Sequence, residues 1–198
     1  MNQQISSVSS FQLSKLKERF GNVKEFMLRM SPGCQLTIGG SEEECYFGDY
    51  PTLAEVNRIY SSKAAQAWLI PQLVNLSEFC GAKEKLSKMQ QCECAELIVQ
   101  EFYFLKVSEL MLFFVKFKKG YYGQFYGTVD PMVIMSALKR FVIDRNIAYE
   151  SKEKEDGRKQ NAKEKENAIT WEEYCILKNI KRNNPIDEIK KGLVNEQE

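Results

Sequence analysis

The sequence predicts an all-α fold, a compact helical domain with a long central helix hairpin. Three observations carry that expectation. Between residues 51 and 149 the apolar residues recur at three- and four-residue spacing, which gathers them on one face of a helix. Helix starts are spelled out in the same stretch. Thr52 with Glu55 three residues on is a capping box, and Asp130 before Pro131 sets a cap and then a proline where a helix begins. Residues 110–115, LMLFFV, are apolar on every side, as a helix at the centre of a domain must be.

In chain order, residues 1–8 are polar and read as a disordered lead. Ser9 or Ser10 caps a short helix that Gly21 stops after Phe20. A second helix runs from Asn22 to Met30, with Val23, Phe26, Met27 and Met30 at helical spacing, and Ser31-Pro32-Gly33 breaks it. Residues 35–38 and 45–47, on either side of Gly39-Gly40, read as a small β-hairpin. Helices resume at Thr52. Ala64, Ala67, Trp68, Leu73, Val74 and Leu76 keep helical spacing, Pro71 implies a kink or a fresh start, and Gly81 ends the segment. Residues 83–105 read as one long helix with an inner stripe of Leu86, Met89, Cys92, Ala95, Val99 and Phe102.

Ser108 is the expected cap of the next helix, with Glu109 at the positive end of its dipole. Lys118 and Lys119 suit its last turn, and Gly120 suits its left-handed stop. This helix should lie between the 83–105 helix and the one from Pro131. There Ile134, Leu138, Phe141 and Val142 should face in, and Lys139, Arg140, Asp144 and Arg145 out. From residue 150 both charge signs alternate with no large apolar residue, as in a solvated helix extension or a disordered linker. Thr170 and Glu173 open a last capping box, with Trp171, Tyr174, Leu177 and Ile180 on one face, and residues 183–193 repeat the cap-then-proline pattern. The expected organisation is an N-terminal appendage at 1–49, a helical core at 50–149, and a charged linker with a helical tail at 150–198.

Composition narrows the function classes. With 198 residues and 43% hydrophobic content the chain can bury a full core. A net charge of +1 gives no global attraction to nucleic acid or membrane, so any such binding must be local. The chain lacks histidine, which removes Ser-His and Cys-His catalysis and every histidine-containing zinc site. Of the six cysteines, Cys92 and Cys94 form C-x-C, and on a helix two such thiols point about 200° apart. Reduced cysteines without metal are therefore expected, and no cofactor. No apolar run is long enough to span a bilayer, and MNQQISSVSS lacks a signal peptide's basic start, so a cytoplasmic protein is expected.

The stretch FKKGYYGQFYGTVDP, residues 117–131, is the candidate site. Lys116, Lys118 and Lys119 stand beside Tyr121, and Arg140 and Arg145 follow on the next helix. Cations interleaved with aromatic rings can neutralise phosphates and stack bases. The competing reading is a helix corner, with Gly120, Gly123 and Gly127 turning the backbone and Tyr122, Phe125 and Tyr126 plugging the core. Tyr121 is the ring expected to stay accessible. The glycines lack the Gly-Lys-Ser/Thr ending of a phosphate loop. Asp130 is explained by capping ahead of Pro131, and Glu42, Glu43 and Glu44 by a solvated acidic loop. No paired carboxylates or nucleophile–base pair stand out, so no enzyme is expected.

The stretch from Phe117 through residue 146 resembles a family of uncharacterised proteins of gut Bacteroidales, often carried on phage-like and conjugative elements. The family pattern is F-K-x-G-x-Y-G-x-F-Y-G-x-V-D-P. It is matched by Phe117, Lys118, Gly120, Tyr122, Gly123, Phe125, Tyr126, Gly127, Val129, Asp130 and Pro131. The likeness extends over about residues 50–147 and implies a domain assignment without a catalytic activity. The layout of helical domain and charged tail is also loosely similar to phage helicase-loader and helicase-inhibitor proteins. The expected function is that of a non-enzymatic accessory protein of a mobile element, acting in DNA replication or maintenance by binding DNA or a replication protein through residues 116–145. The alternative is a protein-interaction module whose aromatic loop is structural.

Overall fold

A computed structural model of the chain describes residues 10–178. The polar residues 1–8, Ile180 and the proline-capped segment 183–193 lie outside the described residues. The fold is all-α, with neither strand nor sheet among the described residues. No described helix is long and apolar enough to cross a membrane. The chain divides into two compact units, Met1–Tyr149 and Glu150–Glu198.

The first unit opens with α1 (Ser10–Phe20) and α2 (Val23–Arg29). Asn22 caps α2, its side chain accepting from the Lys24 and Glu25 amides while Glu25 accepts from the Asn22 amide. A 3-10 turn, Pro32–Cys34, leads into α3 (Gln35–Ile38) and α4 (Glu42–Phe47). Here the expected β-hairpin is overturned. Gly39 has φ −74°, so Gly39-Gly40 is no hairpin turn. Gly39 instead lets α3 approach the central helix: a Cβ there would lie 2.8 Å from Cγ2 of Val115 and 2.9 Å from the Met111 carbonyl. The acidic run Glu42, Glu43 and Glu44 is likewise no loop. It forms the first turn of α4, where the helix dipole favours it, capped by Ser41.

Residues 10–49, expected as an appendage, share the core of the rest. Phe20, Phe26, Met30, Cys45 and Tyr46 are buried in one cluster with Trp68, Phe113 and Phe141. After the Thr52 capping box come α5 (Leu53–Ile59), α6 (Ala64–Phe79) and α7 (Lys88–Glu101). The helix α6 continues past the exposed Pro71, so no new helix begins there. Helix α7 is shorter than expected because Ser87 caps it with Gln90 in a capping box. Its buried residues are Cys94, Ala95 and Ile98, while Met89 and Cys92 face solvent, so the expected stripe was displaced around the helix.

The centre is α8 (Val107–Lys118), in which ten of twelve residues are buried. Burying a ring such as Phe113 or Phe114 contributes roughly 1.5–3 kcal/mol. Ser108 is not its cap. The backbone before α8 pairs with that before α5, the Leu53 amide donating to Leu105 and the Val107 amide to Pro51, both at 2.9 Å. That pairing makes Lys106 the first non-helical residue, and Glu109 accepts from its amide at 2.8 Å. Ser108, now inside the helix, donates to the Cys45 carbonyl instead. Helices α3, α4 and α6 pack closely on α8, and α7 packs on α6. The main neighbour of α7 is thus α6, where the sequence placed it beside α8. The last helix of the unit is the start of α9 (Pro131–Glu166), which reaches α8 through Phe141, its ring 5.7 Å from that of Phe113.

In the second unit α9 continues as an exposed helix of alternating charge to Glu166. Then α10 (Trp171–Leu177) is capped by Thr170 and Glu173 as the sequence indicated. The rings of Trp171 and Tyr174 stack at 5.6 Å.

Candidate functional site

The loop at residues 119–130 is built from both ends. Gly120 stops α8 at φ +84°, its amide donating to the Phe117 carbonyl. The backbone stays in the left-handed half of conformational space again at Gly123, φ +110°, and Gly127, φ +82°. At the far end the Asp130 carboxylate accepts from the Met132 amide at 2.8 Å, and Pro131 takes the first helical position. The loop is also tied sideways to the chain before α7: the Glu84 amide donates to Gly127, and the Val129 amide to Glu84.

The rings divide between core and surface. Tyr122 is buried, stacked on Phe113 with centroids 5.7 Å apart, and its hydroxyl donates to Asp144 at 3.1 Å. Burial and that carboxylate push the Tyr122 phenol above its ordinary range. Phe125 is half-buried and stacks on Phe117 at 5.2 Å. Tyr126, the third of the rings of which at least two were expected to plug the corner, is 88% exposed. Tyr121 is 64% exposed, as its position beside the lysines indicated.

The cations also divide. Lys116 pairs with Glu42 of α4 at 3.0 Å. Lys118 donates to Oε1 of Gln35 at 2.6 Å and to Oδ1 of Asn75. Gln35 in turn donates to Gln72 at 2.6 Å, and Gln72 to the Met30 carbonyl at 2.8 Å. Trp68 donates to the same carbonyl at 2.7 Å. One buried polar chain therefore runs from the end of α8 through α3 and α6 to the end of α2. Burial lowers the pKa of Lys118 from its ordinary value.

Arg145, expected to face out, turns in to Glu109 at 2.7 Å. Glu109 is fully buried and lies 3.0 Å from the Tyr149 hydroxyl, which also reaches the Tyr46 carbonyl. Lys106 donates to the carbonyls of Tyr46 and Gly48, closing the cluster around the end of α4. Arg140 lies over the Tyr122 ring at 5.7 Å, and Lys119 is exposed. Of the six candidate residues, then, Lys119, Tyr121 and Arg140 present themselves at the surface. Lys116 and Arg145 are spent on ion pairs within the fold, and Lys118 is anchored to it by two amide oxygens.

The loop also walls a cavity of about 330 Å³, lined by Phe79, Cys80, Phe117, Lys118, Gly123 and Phe125 among others. Phe79 and Cys80 sit at the end of α6, ahead of Gly81, and sequence reasoning missed them. Nothing local marks them, because what makes them wall residues is the fold of the distant loop. Glu109 was seen only as a favourable helix-end charge. A lone carboxylate beside an apolar run was the available sign that it needed a partner.

The comparison with known families is decisive at this point. A family model, described as a family of unknown function (DUF6633), matches residues 85–185. The chain belongs to the DUF6633 family. The match contains α8, the whole loop and both parts of α9, and it begins and ends later than the 50–147 stretch expected from the resemblance. No curated protein and no solved structure matches the chain.

Proposed function

We propose that this DUF6633 protein is a non-enzymatic accessory protein of a mobile genetic element of the kind found in gut Bacteroidales. It acts in the cytoplasm by binding a replication protein through the loop surface between residues 116 and 145. The observation that carries this reading is the outward pair Tyr121 and Tyr126, set on a loop whose glycines and remaining rings anchor it. Tyrosine offers large amphipathic contact area at low entropic cost, and protein interfaces are enriched in it. A protein is favoured over DNA because three of the five candidate cations already have partners. Lys116 and Arg145 are paired with carboxylates, and Lys118 is held by two amide oxygens. A surface that tracks a phosphate backbone needs several cations free to replace counterions.

Photo-crosslinking tests the reading. A photoreactive amino acid in place of Tyr126, in cells that carry the native element, should give one dominant protein adduct. The same group in place of Glu155, on the exposed charged part of α9, should not give that adduct. Crosslinks to DNA from Tyr126 would transfer the proposal to nucleic acid, and no specific adduct from Tyr126 would remove it.

A further inference from the structure

The cavity beneath the loop has a chemistry of its own. Its volume, about 330 Å³, lies at the small end of ligand sites. Phe79, Phe117 and Phe125 contribute aromatic rings to a lining that is otherwise polar, and the last two stack on each other. Two charged groups line it: the exposed Lys119, and Lys118, whose Nζ lies 5.3 Å from the centre of the Phe79 ring. Its two hydrogen-bond acceptors, Gln35 and Asn75, are neutral amide oxygens, and no carboxylate of the described residues pairs with it. An ammonium carries three protons. Two are used, so one donor remains, and the charge has the Phe79 ring beside it but no anionic partner at a partly desolvated site. The cost of that burial is visible in the lowered pKa of the amine.

We propose that this cavity binds a carboxylate carried on an aromatic group, with the carboxylate on Lys118 and the ring against Phe79, Phe117 and Phe125. The anion completes the third hydrogen bond of the ammonium and offsets its charge where water is partly excluded, and such charge-assisted bonds are the stronger kind. A single aromatic ring with its carboxylate fits within this volume. Lys119 also lines the cavity, but it is exposed, where solvent screens its charge, so Lys119→Met should leave the preference for acid over amide in place. This inference goes beyond the interaction reading and stands whether or not Tyr121 and Tyr126 touch a partner.

The test uses the full chain and phenylacetate as probe, with phenylacetamide as its uncharged twin. Calorimetry should show saturable one-to-one binding of the acid, and the amide should bind at least about tenfold more weakly for lack of the charge-assisted bond. Alkylation of Cys80, followed by mass spectrometry, reports occupancy directly because the thiol lines the cavity. Phenylacetate should slow it, while the exposed Cys92 reacts at an unchanged rate. Lys118→Met should abolish the preference for acid over amide. Should that variant not fold, the acid–amide comparison on the unaltered chain still decides.

A short peptide ending in phenylalanine, as free acid and as C-terminal amide, separates the two sources of such a group. Tighter binding of the peptide acid than of phenylacetate assigns the cavity to a chain terminus, and the reverse to a free metabolite. Equal binding of acid and amide, or no protection of Cys80, would overturn the proposal.

Discussion

Arg145 on α9 donates from Nε to Oε1 of Glu109 on α8 at 2.7 Å, and Glu109 is fully buried. The pair fixes where α9 lies on the central helix. Arg145→Ala leaves the carboxylate buried with only the Lys106 amide and the Tyr149 hydroxyl. We expect a loss of roughly 3–5 kcal/mol, the scale for breaking a buried pair. Replacing both residues by leucine should recover part of it. Chemical denaturation of the three variants measures this.

The two neighbouring lysines of the loop should behave differently. Lys118→Ala orphans the side-chain oxygens of Gln35 and Asn75 and should cost about 1–3 kcal/mol. Lys119→Ala, at an exposed position, should stay within about 0.5 kcal/mol of the parent. Equal effects in thermal melts would show that the polar chain from Lys118 to Met30 is not stabilising.

Two glycines test two different physical constraints. At Gly120, with φ +84° and open space around a would-be Cβ, alanine suffers only from the left-handed backbone, about 1–2 kcal/mol. Asparagine there should recover part of that cost. At Gly39 the backbone is ordinary but α8 is too close, so alanine must push α3 off Val115 and Met111. Asparagine there should be worse than alanine. Unfolding curves for the four variants distinguish the cases.

Alkali should unfold this protein selectively. Burial pushes the Cys45 thiol up to about 12 and the Cys94 thiol to about 11, and it raises the phenols of Tyr46, Tyr122 and Tyr149 as well. Above the ordinary thiol and phenol values the unfolded chain releases these protons while the folded chain keeps them. Stability is therefore constant near neutrality and falls as pH rises past about 9, by up to ~1.4 kcal/mol per pH unit for each such group. A denaturant midpoint unchanged between pH 8 and pH 10.5 would contradict this.

Most of the helical plan was legible because caps are local. Thr52 with Glu55, Asp130 with Pro131, and Thr170 with Glu173 all start helices as their spacing indicates. The errors arose where distant chain decided the outcome. Gly39-Gly40 looks like hairpin punctuation, yet its small size serves the approach of α3 to α8. Ser108 has the chemistry of a cap, but pairing of residues 105–107 with 51–53 starts α8 at Val107. In the candidate site, the turning role of Gly120, Gly123 and Gly127 could be read directly, and so could the exposure of Tyr121. The partners of Lys116 and Arg145 lie 74 and 36 residues away in sequence, at Glu42 and Glu109 (116 − 42 and 145 − 109), so no local pattern could separate structural cations from exposed ones.

The central claim is that Tyr121 and Tyr126 serve a partner and not the fold. The double variant Tyr121→Ser, Tyr126→Ser tests it most directly, with the melting temperature and the crosslinking yield read on one preparation. A photoreactive group at the exposed Lys119, two residues before Tyr121, supplies the crosslink. The account predicts a melting temperature within about 2 °C of the parent, the shift expected of exposed positions, and loss of the protein adduct. A melting temperature lower by about 10 °C, or an adduct that forms as well as in the parent, would contradict it.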